Sequence, residues 1–404
     1  MTLRPGIPAA LIFPAGWQKY GGAARKARRG TRVLRMKKIL IVTSVYTGGG
    51  HKSISDSLME QFASMPGVEA QVIDGFELMG RTGLRLSRLY GFLTRRTPAL
   101  YNAGWRFTMR HPPDFTAAAL LCTRRFTECI RRFHPDLILT VHSLFNAVLT
   151  QMLDRHGLHI PVVVLQADFI NIHSTWCNPR AHMTICPTPE ACEASLRQGM
   201  PPEKLTTIGF PVRSRFCTAP EPAPAYDASR PLRCLLMSGG EGTGSLRAYA
   251  EALLDNTDAT LTIICGRNRK LCGRLRKTLP YGERVRVLGF VPDVEREMRG
   301  SDLLITRGSP NTLTEAAAVN LPFIVTGPLP EQERDNPRLM QERGFGVVSR
   351  SPGDLPELIR GLLADGGAQL EAIRAAQRLH RCTDAARRIA EYAAALTEPL
   401  AYEA

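Results

Sequence analysis

The feature that most constrains this chain is that its pattern begins twice. An apolar, β-branched run at 38–44, Lys-Ile-Leu-Ile-Val-Thr-Ser, breaks at Thr47-Gly48-Gly49-Gly50-His51 and gives way to a helical spacing of Ser55, Leu58, Met59 and Phe62. Later the same order returns: an apolar run at 232–237, a turn Ser238-Gly239-Gly240-Glu241-Gly242, then a helical pattern at 246–254. Apolar runs without alternation read as strands buried on both faces of a parallel sheet. Further runs lie at 68–74, 136–141 and 162–165 in the first part, and at 261–265, 285–288, 303–306 and 323–326 in the second. Between the two parts, 219–231 holds four prolines in thirteen residues, the composition of a semi-rigid linker. Strands alternating with helices predict an α/β chain with two Rossmann-like domains facing across a cleft. Open sheets of this kind bind ligands beyond the carboxyl ends of their strands. The expected division is a basic extension at 1–36, an N-terminal domain at 37–218, the linker at 219–231, a C-terminal domain at 232–368 and an Ala-rich helical segment at 369–404.

Charge is concentrated in two places. The formal net charge is +15, yet 1–36 has eight Lys/Arg and no acid, and 81–132 has eleven Arg against Asp114 and Glu128. Those two stretches exceed the whole excess, so the rest is close to neutral. In the first stretch most of the charge follows the apolar residues 9–13, the reverse of a signal peptide. Met36-Lys37-Lys38 stands directly before the first strand, so 1–35 is expected to be disordered or outside the functional chain. In the second stretch Tyr90, Phe92, Tyr101, Trp105 and Phe107 interleave with arginines, and Leu86, Leu89, Tyr90 and Leu93 recur at helical spacing beside Arg85, Arg88, Arg95 and Arg96. Three readings fit: a helix lying in a membrane interface, a solvated helix pair over core aromatics, or a stacking platform for nucleic acid. No stretch approaches the about 18–20 apolar residues of a spanning helix. The ten cysteines are scattered without a CxxC, which predicts reduced structural thiols. His134, His142, His156, His159, His173 and His182 show no zinc-ligand spacing, so no metal site is expected.

Chemistry is expected where loops follow strands. Glycines at 48–50 allow backbone amides to approach a ligand, and His51 at the helix mouth is a general-base candidate or a helix-start His donating to a carbonyl. The spacing fits neither a dinucleotide fingerprint nor a Walker loop. Asp168 follows the strand at 162–165, with His173 and Trp176 close behind. It either orients His51, accepts a proton itself, or caps its loop. In the second part, Thr306-Arg307-Gly308-Ser309-Pro310-Asn311-Thr312 reads as strand, tight loop and helix, with Asn311 suited to a left-handed position. Ser309, Thr312 and the amides beyond Asn311 are placed to hold a diphosphate, and Glu315 one turn in reaches a ribose diol. Gln332, Glu333 and Asn336 offer amides and a carboxylate suited to sugar hydroxyls.

The ordered set GGGH (48–51), ADFINIHSTW (167–176), GFPVRSRF (209–216), CGRN (265–268), LGFV (288–291), TLTEA (312–316) and QExxN (332–336) resembles the monogalactosyldiacylglycerol synthases. These stand with the bacterial glucosyldiacylglycerol synthases in the family 28 glycosyltransferases. The resemblance runs from 37 to about 364, and the spacing of Asp168, His173 and Trp176 looks like the galactosyl branch. It implies a GT-B fold and inverting transfer of galactose or glucose from a UDP-sugar to diacylglycerol, with the UDP-hexose as co-substrate and no cofactor. By that likeness His51 is the base and Asp168 its catalytic companion. Gly49, Gly50, His173 and Trp176 lie on the acceptor side, with Arg88, Tyr90, Arg95, Arg96 and Trp105 facing an anionic membrane surface. The donor side comprises Gly239, Gly240, Arg267, Asn268, Arg307, Ser309, Asn311 and Thr312, with Phe290 at the uracil, Glu315 at the ribose and Gln332, Glu333 and Asn336 at the hexose. It also implies a peripheral protein on the cytoplasmic face of a membrane, without a nucleic-acid partner. The absence of any Asp-x-Asp agrees with a donor site that uses amides and arginines in place of a metal. Ser309-Pro310-Asn311 and Arg307 depart from a loop that in the family is usually Gly-rich with a Lys. The alternatives are a UDP-N-acetylglucosamine transferase acting on a polyprenyl-diphosphate lipid, and a non-catalytic binder of anionic lipid or nucleic acid with no use for Glu315, Gln332 and Glu333.

Overall fold

The structure, a computed structural model, describes residues 35–45, 49–218, 226–238, 246–279, 282–327 and 329–397, without all of the side chains between 88 and 98. Nearly all of the expected extension at 1–36, and 219–225 of the linker, lie outside these residues. The first half runs β1 (Lys37–Thr43), α1 (Gly49–Ala63), β2 (Val68–Asp74), α2 (Gly75–Leu78), α3 (Gly80–Arg96), α4 (Pro98–Arg110), α5 (Thr116–Phe133), β3 (Leu137–Thr140), α6 (Ser143–Arg155), β4 (Val162–Leu165), β5 (Met183–Cys186), α7 (Pro189–Arg197), β6 (Leu205–Thr207) and α8 (Ser214–Cys217). The second runs β7 (Arg233–Met237), α9 (Leu246–Asn256), β8 (Thr260–Ile264), α10 (Arg269–Thr278), β9 (Val285–Leu288), α11 (Val294–Arg299), β10 (Leu303–Arg307), α12 (Pro310–Ala318), β11 (Phe323–Thr326), α13 (Asn336–Glu342), β12 (Gly346–Ser349), α14 (Leu355–His380) and α15 (Ala385–Ala395).

Each half is a six-stranded parallel sheet, ordered β2-β1-β3-β4-β5-β6 and β12-β11-β10-β7-β8-β9. Ile39 and Ile41 pack into one core while Leu40 and Val42 pack into another on the opposite face of the sheet. Burial on both faces is why these strands read as unbroken apolar runs. Strands β5, β6 and β12 add to the runs legible in the sequence; Met-Thr-Ile-Cys, Leu-Thr-Thr and Gly-Val-Val-Ser are too short, and too broken by Thr, Gly and Ser, to stand out as apolar runs. Strand order reverses between β1 and β3 in the first sheet and between β7 and β10 in the second, and such switch points open the crevices where α/β sheets hold ligands.

The carboxyl-terminal segment does not stay with the second sheet. Helical geometry breaks at 364–367, where Asp365, Gly366 and Gly367 take positive φ. Helix α15 then returns to pack on α1, and Lys37 Nζ donates to the Ala394 carbonyl at 3.0 Å. The crossing presses on Gly209, whose φ is +129° and whose missing Cβ would stand 3.0 Å from Cys382 Sγ. Only glycine meets both demands. Among the described residues, no helix is long and apolar enough to cross a membrane.

Candidate active site

His51 lies in the first turn of α1, just beyond β1, and its Nδ1 stands 2.7 Å from the carbonyl of Val141, just beyond β3. A carbonyl only accepts, so Nδ1 carries the proton and Nε2 the lone pair. Burial lowers the His51 pKa from 6.5 to about 4, the Val141 contact offsetting part of the effect, so the ring is neutral at pH 7. The two sequence alternatives for His51 are therefore compatible: it donates to a carbonyl and keeps a basic nitrogen. His142 lies 4.6 Å away, ring to ring, and its own Nδ1 accepts the Leu144 N–H at the start of α6. Burial, and then the nearby His51, hold His142 well below its ordinary pKa. His142 stands in the sequence only among the histidines without zinc-ligand spacing, and its one local signal is a position just past the apolar run at 136–141.

Asp168 does not orient His51; the Val141 carbonyl does. Asp168 Oδ2 instead accepts the indole N–H of Trp176 at 2.7 Å, and Trp176 lies 6.5 Å from the His51 ring. Burial pushes the Asp168 carboxyl up to about 7, the Trp176 bond opposes that rise, and the charge of Glu333 adds to it. Glu333, from the second half, is buried and ion-paired at 3.2 Å with Arg307. Its pKa is raised by burial and held back by that guanidinium. Arg307 Nε and Glu333 Oε2 are both buried without a well-aligned hydrogen bond. Buried polar atoms of this kind are where a ligand finds partners.

Glu315, buried on α12, accepts from Arg213 Nη2 at 2.8 Å and from Ser53 Oγ at 3.3 Å, both in the first half. Burial raises its pKa, and Arg213 then Ser53 pull it back. Arg213 belongs to the GFPVRSRF stretch, where nothing local marks it as a partner of Glu315. At the same seam Asn311 is helical, in the first turn of α12 behind Pro310, and not left-handed as expected. Its side-chain nitrogen sits 2.7 Å from where a Cβ of Gly50 would stand, so Gly50 is the close approach between the halves. Gly49 at the head of α1 has open space around it. Ser309 precedes α12 without capping it through its side chain, and Thr312 is buried in the first turn.

Asn336 is fully buried and donates from Nδ2 to the Gly308 carbonyl at 2.8 Å, bracing the loop, while its Oδ1 is buried without a hydrogen-bond partner. Asn268 caps α10 through the Leu271 N–H at 3.0 Å. Arg267 lies over the ring of Phe290, which is 59% exposed beyond β9. His173 contacts Thr108 Oγ1 at 3.0 Å and the Trp105 ring edge-on at 5.1 Å, with burial lowering its pKa. Gln332 accepts from the Tyr101 hydroxyl at 2.9 Å, so an aromatic of the basic stretch meets the second half. Gly239 and Gly240 lie outside the described residues, as do the side chains of Arg88, Tyr90, Arg95 and Arg96 on α3. Elsewhere on α3, α4 and α5, Leu86, Leu89, Leu100, Phe107, Leu120 and Leu121 are exposed, with Arg85, Arg106, Arg110 and Arg124 exposed on the same helices.

Two family models match the chain: "Monogalactosyldiacylglycerol (MGDG) synthase" over 51–212 and "Glycosyl transferases group 1" over 245–365. The chain is 30% identical over 367 residues to a Glycine max protein named "Probable monogalactosyldiacylglycerol synthase, chloroplastic", covering 84% of this chain and 68% of that one. It is 29% identical to monogalactosyldiacylglycerol synthase 1 of Arabidopsis thaliana, covering 85% and 68%. The crystal structure of Acinetobacter baumannii MurG superposes with a TM-score of 0.58 at 15% identity, over 88% of this chain and 98% of that one. The shared architecture is the GT-B fold.

Proposed function

The chain belongs to the monogalactosyldiacylglycerol synthase family and is a glycosyltransferase acting on lipid, and on that premise we propose that it moves a hexose from a UDP-sugar to the free hydroxyl of diacylglycerol. One observation carries the reading. The helix whose first turn holds the neutral His51 abuts the helix that carries Glu315, through Ser53 and through Gly50 against Asn311. A base with a free lone pair thus neighbours the residues suited to a nucleoside diphosphate.

In the proposed reaction His51 Nε2 takes the acceptor hydroxyl proton as that oxygen bonds to the anomeric carbon. The bond from that carbon to the UDP oxygen breaks on the opposite face, so an α-linked donor yields a β-glycoside. Charge on the departing diphosphate meets the first-turn amides of α12, the Ser309 and Thr312 hydroxyls and Arg307. Glu315 takes the ribose, while Gln332 and Glu333 take hexose hydroxyls; the scheme calls for no cofactor. The exposed leucines and Phe107, with the arginines exposed on the same helices, rest on an anionic bilayer, each arginine near the surface contributing ~1 kcal/mol. A protein bound peripherally in this way reaches an acceptor that stays in the membrane.

The test is to incubate the purified chain with vesicles of diacylglycerol and anionic phospholipid and either UDP-galactose or UDP-glucose. The relatives' names make UDP-galactose the first donor to try. A β-hexosyl diacylglycerol, identified by chromatography and NMR of the anomeric proton, is expected. No product from either donor, or product only from UDP-N-acetylglucosamine and a polyprenyl-diphosphate acceptor, would refute the reading.

A further inference from the structure

Helix α4 belongs to the first half, yet it grips the sugar-side loop of the second. Tyr101 Oη donates to Gln332 Oε1 at 2.9 Å, Asn102 Oδ1 accepts the Glu331 backbone N–H at 3.2 Å, and Arg106 Nη1 stands 3.6 Å from Glu331 Oε1. The same helix reaches the acceptor loop, where Thr108 and Trp105 hold His173. Its outer face shows Leu100 and Phe107, 60% and 64% exposed. So one helix spans the cleft, from the loop beside Asp168 to the loop carrying Gln332 and Glu333.

An amide side chain carries an acceptor on one side and two donors on the other. Left alone, Gln332 would sample several rotamers, each offering a sugar a different face. With Oε1 engaged by the Tyr101 hydroxyl, one orientation is held, which leaves the Nε2 donors to a ligand. We propose that Tyr101 is a positioning residue for the donor sugar. By holding Oε1 of Gln332 it presents the amide N–H groups to hexose oxygens, so a first-half helix completes the sugar subsite of the second half. The inference rests on the reading of Gln332 as a hexose contact. It makes sugar recognition depend on the helix that offers Leu100 and Phe107 to lipid.

The test is calorimetric titration of the full chain and its Tyr101→Phe variant with UDP, UDP-galactose and UDP-glucose. Phenylalanine keeps the ring and removes only the hydroxyl. UDP has no hexose, so its affinity is expected to stay within about twofold of wild type, while the preferred UDP-hexose weakens about five- to tenfold, the loss of one hydrogen bond. The preference between the two sugars is expected to narrow with it. Equal weakening toward all three ligands would mean that α4 merely braces the loop, and would overturn the proposal, as would unchanged binding of both UDP-hexoses. A wild-type chain that binds UDP-hexoses no better than UDP would remove the hexose role of Gln332 first, and the role of Tyr101 with it.

Discussion

Replacing Asp168 with Asn is expected to stabilise the protein at high pH and not at low pH. The reasoning starts from the carboxyl's surroundings: its burial raises its pKa from 3.8 to about 7, more than the Trp176 hydrogen bond offsets, with Glu333 adding repulsion. A group whose folded pKa lies above its unfolded value binds more protons in the native state between those two values. Its contribution is therefore complete below about pH 4 and is lost as pH rises toward 7. A shift from 3.8 to about 7 converts, at 1.36 kcal/mol per pH unit, to a ceiling of about 4 kcal/mol. Asn keeps an oxygen for the Trp176 N–H and cannot ionise. His51 works in the opposite direction, since its depressed pKa costs stability as pH falls from 6.5 toward 4. Both proteins carry His51, so it cancels in the difference. Urea denaturation at pH 4.5 and pH 8, followed by tryptophan fluorescence, gives that difference directly. It should be small at the lower pH and favour Asp168→Asn by up to about 4 kcal/mol at the higher. Equal differences at the two pH values would refute the claim that the native site holds this carboxyl protonated. Stability gained by removing a candidate catalytic carboxylate would also be the usual exchange between activity and stability at a site.

Three more outcomes follow from the same geometry. His51→Ala should lower turnover by about 10²–10⁴ while UDP affinity by calorimetry stays near wild type, and equal loss of both would remove its role as base. Glu315→Gln should weaken UDP binding by about tenfold or more, because a charged acceptor for the ribose is lost; unchanged affinity would end the ribose assignment. Leu100→Ser with Phe107→Ser should abolish sedimentation with anionic diacylglycerol vesicles without lowering Tm, since both side chains are largely exposed. Continued sedimentation would move the docking surface elsewhere.

The residues that were legible in the sequence and those that were not differ by one physical property. Arg307 ends β10, and Gly50, His51 and Thr312 lie in the first turns of the helices that follow β1 and β10; a strand that ends in a loop and a helix delivers those residues to the sheet's carboxyl edge whatever the rest of the chain does. Local order alone put them at the cleft. Asn311 and Asn336 also stood beside that edge, but a residue's type in a loop does not reveal its helical phase. Asn311 proved to be a first-turn residue, and Asn336 engages the Gly308 carbonyl with its Nδ2. The contacts that give the site its chemistry were invisible for a different reason. Val141 sets the tautomer of His51, Arg213 reaches Glu315, and Tyr101 reaches Gln332, each across a large stretch of chain. The last two exist only because the two separately legible halves meet through α1, α4, α8 and α12, with α15 returning to α1 to close the structure. Periodicity reports which side of an element is buried, and never what that side is buried against. The sequence thus named the groups that could do acid–base and sugar chemistry, while the pairing of β1 with β3 decides which nitrogen of His51 is basic and the docking of the halves decides which face Gln332 turns outward.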